Sequence, residues 1–411
     1  MIALNKKIMK KTTTLIIMLL LLSGALYQPA NAQWSPAGKM GSGPIDGCFS
    51  FSINGKGYAG GGANGNKFYQ YDTTTNAWTL KGNAPGNKIR GWAFSFVVNG
   101  KAYVVGGDTT GSFTECAEVW MYDPDSNSWT QKADFAGGPR DAGFSFVIND
   151  TAYIGCGFDG AGVWNDMWRY NSMTDSWTAL NAVPFGNMLF PATFVLNNKG
   201  YVATGEVNTV SSAYEVNTLW MYNPAGDTWT QKADFPGTAR QTSFSFVLNG
   251  MAYVGGGQAG YVNVYTDMWW YDAITDSWSA AGNTPSSYPA WSTSFAIGNT
   301  GYMGTGVYFG TSSLIGTDSF YKYKPVVASA PELATNAIEA GVFPNPATDY
   351  INITGTINNK DVTVLDVTGR VVKTFSAGSK QQLYIGDLEP GIYLLKLKTG
   401  VKTANIRVIK E

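Results

Sequence analysis

Apolar and polar residues alternate along this chain in short bursts that recur at an even pace. In Phe94-Ser95-Phe96-Val97-Val98 the alternation has the period of a half-buried strand, and Asn99-Gly100 follows at once as a two-residue hairpin turn. A second burst, Ala102 to Val105, ends at Gly106-Gly107. After a variable connection, Glu118-Val119-Trp120-Met121-Tyr122 predicts a third strand, Asp123-Pro124-Asp125-Ser126-Asn127 a turn, and Trp129 the start of a fourth strand. The opening phrase occurs six times, as FSFSINGKGYAGGG (49–62), FSFVVNGKAYVVGG (94–107), FSFVINDTAYIGCG (144–157), ATFVLNNKGYVATG (192–205), FSFVLNGMAYVGGG (244–257) and TSFAIGNTGYMGTG (293–306). Tyr58, Tyr103, Tyr153, Tyr201, Tyr253 and Tyr302 mark it at intervals of 45 to 52 residues. Such a period predicts propeller blades or solenoid units, each a supersecondary unit that buries its apolar face only against its neighbours.

Tyr122 and Trp129 stand seven apart, and the interval returns at Tyr71/Trp78, Tyr170/Trp177, Tyr222/Trp229 and Tyr271/Trp278. Four antiparallel strands, a diglycine, then Tyr and Trp at fixed spacing resemble the kelch repeat over about 290 residues. Copies four and six depart from it, with Ala203-Thr204-Gly205 and Gly304-Thr305-Gly306 in place of a diglycine. The sixth copy also lacks a fourth strand, running into Lys324-Pro325. Trp34, near the start of the expected mature chain, matches Trp129 with no first three strands before it. It is therefore expected to complete the sixth blade and close the circle, removing exposed sheet edges. The resemblance implies an all-β chain: a six-bladed kelch-type β-propeller over 33–325.

The first 32 residues read as a secretory signal, with Lys6, Lys7, Lys10 and Lys11, the apolar run Leu15 to Leu22, and Ala30-Asn31-Ala32 before Gln33. That run is too short to span a bilayer, and no membrane span is expected in the mature chain. Residues 326–340 (VVASAPELATNAIEA) carry no strand period and read as a linker. From 341 a new alternation begins, in VFPNPATDYINI, VTVLDVTGRVV and LEPGIYLLKLKTG, written like a small immunoglobulin-like β-sandwich. Pro344-Asn345-Pro346, Leu365-Asp366 with Gly369-Arg370, Gly391 with Tyr393, and the basic close at Lys402, Arg407 and Lys410 resemble the type A sorting domain of the type IX secretion system. The resemblance implies export through Sec and then across the outer membrane. Its expected partner is the type IX machinery, met through 341–411, with the cargo at the cell surface or released.

Charge and composition narrow the chemistry. Residues 33–340 hold 15 Lys+Arg against 23 Asp+Glu, a net of −8, which disfavours nucleic acid as a partner. The chain has 0 histidines, which removes imidazole-based triads and metal sites, including those of kelch-type copper oxidases. No cofactor, metal site or catalytic residue is assigned. Asp123, Asp125, Asn127 and Asp134 imitate a calcium loop, but Ser128 stands where such a loop needs glycine. Cys48, Cys116 and Cys156 lack metal spacing and read as small buried thiols, with a Cys116–Cys156 disulfide as the alternative.

Short turns occupy one face of the expected ring and long connections the other, so a ligand is sought on the second. The candidate residues there are Arg90, Trp92, Arg140, Tyr214, Arg240, Tyr261, Tyr265, Trp291 and Tyr308, with Trp164 and Tyr288 nearby. Loop aromatics stack on sugar rings or anchor proteins; they also pack the loops themselves. The three arginines share one repeat position, where they either converge on the axis or serve as structural ion-pair donors. The sequence thus points to a binding module for a glycan or protein ligand. The alternative is a metal-independent sugar mutarotase or epimerase using Glu115 and Glu206 with the arginines, since sugar-isomerising propellers resemble this architecture.

Overall fold

A computed structural model describes residues 33–63, 65–110, 114–209, 211–260, 263–285, 290–309, 314–325, 340–354, 360–366, 370–378, 382–399 and 402–411. The expected signal segment and all but the last residue of the expected linker lie outside them. The chain divides into two compact units, Met1–Val327 and Ala328–Glu411.

In the first unit, six four-stranded antiparallel sheets follow one another as blades among the described residues. Blade two runs Phe94–Val98, Lys101–Val105, Val119–Asp123 and Ser128–Lys132 in sheet order. The other first strands are Cys48–Ile53, Phe144–Ile148, Ala192–Leu196, Phe244–Leu248 and Thr293–Ile297. In each of these the phenylalanine face is buried between blades while the Ser/Thr face turns to the axis.

Those axial hydroxyls form a closed belt. Ser95 Oγ donates to the Ser50 carbonyl (2.8 Å), Ser145 to Ser95 (3.0 Å), Thr193 to Ser145 (3.0 Å), Ser245 to Thr193 (2.6 Å), Ser294 to Ser245 (2.9 Å) and Ser50 to Ser294 (2.9 Å). Each is a neutral hydrogen bond of modest net worth, about 1 kcal/mol. Their number matters more, because together they satisfy polar groups where six backbones crowd together.

The Tyr-to-Trp interval also has a physical cause. The two residues are cross-strand partners in the outer hairpin, as in Tyr122 opposite Trp129 with ring centroids 5.0 Å apart. The tyrosine hydroxyl reaches over the turn to a side chain five residues on: Asn76, Asn127, Asp175, Asp227 or Asp276, at 2.7 to 2.9 Å. Each of these five has positive φ, which Asn and Asp tolerate best after glycine. The imitation calcium loop is one such turn, with Lys101 Nζ 2.7 Å from Asp123 and 3.6 Å from Asp125.

The departures from the diglycine are explained the same way. Gly61, Gly106, Cys156, Thr204, Gly256 and Thr305 all hold φ near +60°, so the first position accepts a side chain at some strain. The second position is glycine in all six copies. At Gly157, for example, an added Cβ would lie 2.2 Å from the Asp141 carbonyl.

Blade six draws its fourth strand from the other end of the chain. Gln33–Lys39 pairs with Ser319–Lys324, placing Trp34 opposite Tyr323 with ring centroids 5.1 Å apart. Trp34 thereby supplies the missing partner of the sixth Tyr–Trp pair, and its ring also meets Phe244 and Phe246 of blade five.

The second unit contains a three-stranded sheet (Gly341–Phe343, Tyr350–Thr354, Gln382–Tyr384) and a four-stranded one (Val371–Gly378, Lys360–Leu365, Gly391–Thr399, Lys402–Lys410). Ile351, Ile353, Val362, Val364, Leu395 and Leu397 are buried in one core. In the expected sorting motif, Asn345 exchanges hydrogen bonds with the last strand, giving one to the Arg407 carbonyl and taking one from the Ile409 amide. Asp366 receives Arg370 Nε at 3.0 Å, and Tyr393 Oη donates to the Glu389 carbonyl. Pro344 lies just beyond the first strand, and Gly391 opens the strand Gly391–Thr399, where it pairs with Lys410; Pro346 precedes buried Ala347, and Gly369 lies outside the described residues.

Trp34→Ala is expected to destabilise the propeller by about 2–4 kcal/mol. Leu80→Ala, at a residue 54% exposed on another fourth strand, should change stability by less than about 0.5 kcal/mol. Urea unfolding of both variants checks this, and equal midpoints would contradict the role given to Trp34.

Candidate functional site

The three arginines do not meet at the axis. Arg90, Arg140 and Arg240 are 0–1% exposed, and each staples the lead-in of its blade to the connection between second and third strands. Arg140 Nη1 donates to the Cys156 carbonyl (3.1 Å) and to Asp166 (2.8 Å); Arg240 Nη1 donates to the Gly256 carbonyl (3.1 Å) and to Asp267 (2.7 Å). Arg90 binds the Gly106 carbonyl, Cys116 Sγ and Glu118. The indoles of Trp120, Trp168 and Trp269 donate to the same three carboxylates. Lys88, Trp120 and Arg90 together hold Glu118 down to about 2 against its burial.

Acid and arginine occur together in blades two, three and five. Blade four has Met188 and Thr218 at the corresponding positions, and there the Trp220 indole nitrogen is buried without a partner. A buried charge needs its counter-charge, so the arginines are explained by packing. Trp164 and Tyr265 stack over Arg140 and Arg240, with centroids 5.1 and 4.2 Å away.

At the axis itself, the residue two before the first strand in blades two to six, and the one just before it in blade one, form a second ring: Gly47, Trp92, Ala142, Phe190, Thr242 and Trp291. All six have φ between 52° and 62°. Five consecutive backbone links tie the ring together: Gly47 N to Trp291 O (3.4 Å), Trp92 N to Gly47 O (2.8 Å), Ala142 N to Trp92 O (3.0 Å), Phe190 N to Ala142 O (2.7 Å) and Thr242 N to Phe190 O (2.9 Å). Large and small side chains alternate around it. Blades two, four and six contribute Trp92, Phe190 and Trp291, while blades one, three and five contribute Gly47, Ala142 and Thr242. Trp92 meets Phe190 and Trp291 edge to face, with centroids 6.3 and 6.2 Å away. A Cβ on Gly47 would stand 2.6 Å from Trp92 Nε1, so the small residue makes room for the large one.

This aromatic plug divides the mouth of the channel. A cavity of about 340 Å³ is lined by Trp92, Ala142, Phe190 and Trp291 of the ring together with Asp141, Phe158 and Leu189. A smaller space of about 150 Å³ is bounded by the same ring and the residues next along the axis, among them Cys48, Ser243 and Ser292. Asp141 is 3% exposed, and among the described residues no group hydrogen-bonds its carboxyl. Burial, with repulsion from Glu115 and Asp108, pushes Asp141 up to about 8. Burial also raises Glu115, whose Oε1 is enclosed without a partner. A carboxyl that carries a proton at neutral pH can donate as well as accept, and it sits against an aromatic wall.

Of the residues expected from sequence, the structure brings Trp92 and Trp291 together. Tyr214 is 50% exposed on the short strand Ala213–Glu215, and Tyr308 lies in the strand Val307–Phe309. Tyr261 and Tyr288 fall outside the described residues. Glu206 is tied to Asn208 and Gln241 at 2.9 and 2.8 Å. The three cysteines are free thiols, with burial pushing Cys48 up to about 12. Sequence reasoning missed Phe190, Phe158, Leu189 and Asp141. The first was within reach, because Phe190 occupies the register of Trp92 and Trp291.

Comparison with known proteins agrees with this architecture. Residues 341–411 match the secretion system C-terminal sorting domain and residues 95–135 the Kelch motif. The chain is 37% identical over 91 residues to an N-acetylneuraminate epimerase of Shigella sonnei (strain Ss046) and 39% identical over 92 residues to one of Escherichia coli (strain K12). In each case the match covers 21% of this chain and 25% of the relative, so the chain spans a quarter of the length of the curated relatives it matches. The solved structure of YjhT superposes with a TM-score of 0.59 at 18% identity, covering 69% of this chain and 96% of that one. The chain is a kelch-type propeller with a sorting domain that directs export by the type IX secretion system to the cell surface or extracellular space. No helix among the described residues is long and apolar enough to cross a membrane.

Asp141 holds in the folded state a proton that the unfolded chain releases, since its value rises from 3.8 to about 8. Its contribution to stability is therefore complete below pH 3.8 and is lost as pH rises to about 8. Asp141→Asn should raise stability by more than about 1 kcal/mol at pH 8, with the gain vanishing at pH 4. Melting curves at both pH values check this, and a gain independent of pH would contradict it.

Proposed function

We propose that the propeller is an exported carbohydrate-binding module whose ligand ring enters the axial cavity and stacks on the aromatic plug. One observation carries this reading. At a ring position whose backbone glycine would occupy without strain, three of six copies carry Trp or Phe, at a cost of order 1 kcal/mol or more each. The inter-blade links explain the backbone conformation, since Gly47 and Ala142 share it. They do not explain the aromatics, which wall a cavity beside an unpartnered acid. A volume of about 340 Å³ falls within the small-ligand range of about 300–1,000 Å³.

A second reading, a metal-independent sugar epimerase or mutarotase, is favoured by Asp141. A buried carboxyl titrating near neutrality suits proton transfer to and from a sugar oxygen, and the relatives are named as epimerases of N-acetylneuraminate. In this reading Asp141 takes the acid–base role, because the arginines are occupied within their blades and Glu206 by two amide donors.

On a glycan array, binding is expected to fall about tenfold or more in Trp92→Ala and Trp291→Ala, the loss of one to two aromatic contacts. Arg240→Ala should lower the melting temperature. Mutarotation measured beside the array separates the two readings: turnover abolished by Asp141→Asn assigns the enzyme, and binding without turnover assigns the module. Removal of 341–411 should leave the propeller in the periplasm, checked by fractionation of the expressing cells.

A further inference from the structure

We infer that the axial cavity selects a ligand carrying a protonated amine, an amino sugar above its acetylated or acidic counterparts; this rests on the carbohydrate reading above. Trp92, Phe190 and Trp291 line the space, and the electron-rich faces of aromatic rings attract cations. Asp141, 3% exposed and among the residues lining the same space, adds a carboxyl with no hydrogen-bond partner among the described residues. Asp108 and Glu115 are near enough to act on Asp141 as like charges, and Glu115 Oε1 is itself enclosed without a partner.

No Lys or Arg lines the cavity among the described residues. The basic groups closest in sequence are already engaged: Arg90 and Lys88 by Glu118, and Arg140 by Asp166. A carboxylate-bearing sugar would thus find no cation to meet it, and its charge would hold Asp141 in the protonated form, whereas a cation beside that carboxyl favours its ionisation. An ammonium group draws the proton off Asp141 and becomes the partner of the carboxylate so formed. The N-acetylneuraminate of the relatives' name is an acidic sugar, so this selectivity would set the chain apart from them.

The test titrates the full mature chain at pH 7 with glucosamine, N-acetylglucosamine, N-acetylneuraminic acid and cyclohexylamine, followed by tryptophan fluorescence and ligand-observed NMR. Glucosamine is expected to bind about tenfold or more tightly than N-acetylglucosamine, the scale of a desolvated cation–aromatic contact. That ratio should fall toward unity in Asp141→Asn and shrink in Glu115→Gln, a milder change that keeps the buried aspartate. Equal binding of the amine and its acetylated form, or preference for the acidic sugar, would overturn the inference while leaving the carbohydrate reading intact. Cyclohexylamine bound with every sugar rejected would uphold the charge selectivity and overturn the carbohydrate reading. Binding of none of the four overturns both.

Discussion

Six first strands must approach one axis closely enough to hydrogen-bond, and everything else in the propeller follows from how that crowding is resolved. Two rings resolve it. Ser50, Ser95, Ser145, Thr193, Ser245 and Ser294 pass a hydroxyl bond from blade to blade, and the residues three positions earlier do the same with the backbone amides of blades one to five. Polar groups that cannot reach water are satisfied by the neighbouring blade. The geometry of the second ring forces positive φ on all its members, and so fixes where side chains can be projected over the axis.

The blade pattern was legible because its physics is local. Hairpin turns, strand alternation and the Tyr–Trp interval all depend on contacts within about ten residues, and the sequence states them once per blade. The Tyr turns even carry their own caps, in Asn76 to Asp276. The seam was legible for the opposite reason: the absence of a Trp after Tyr323 and its presence at Trp34 leave only one pairing.

The site was less legible because its residues are spread across copies. Trp92, Phe190 and Trp291 come from alternate blades, and their convergence appears only when the ring closes. Arg140 drew notice through its repeat position, yet its partner Asp166 lies 26 residues on, and the pairing shows only when the blades are compared. Asp141, next to that arginine, has no equivalent acid in blades two, four, five or six. Its meaning comes from burial beside Phe158 and Leu189, which no spacing encodes.

Trp34 and Tyr323 lie about 290 residues apart and face each other across one antiparallel strand pair. Closing so long a loop is slow relative to local pairing, and until it closes blade six presents an unpaired edge. A chain truncated anywhere before Tyr323 never acquires that partner. The seam therefore makes the last blade depend on two stretches at opposite ends of the propeller sequence, so that the ring is finished only when both are present.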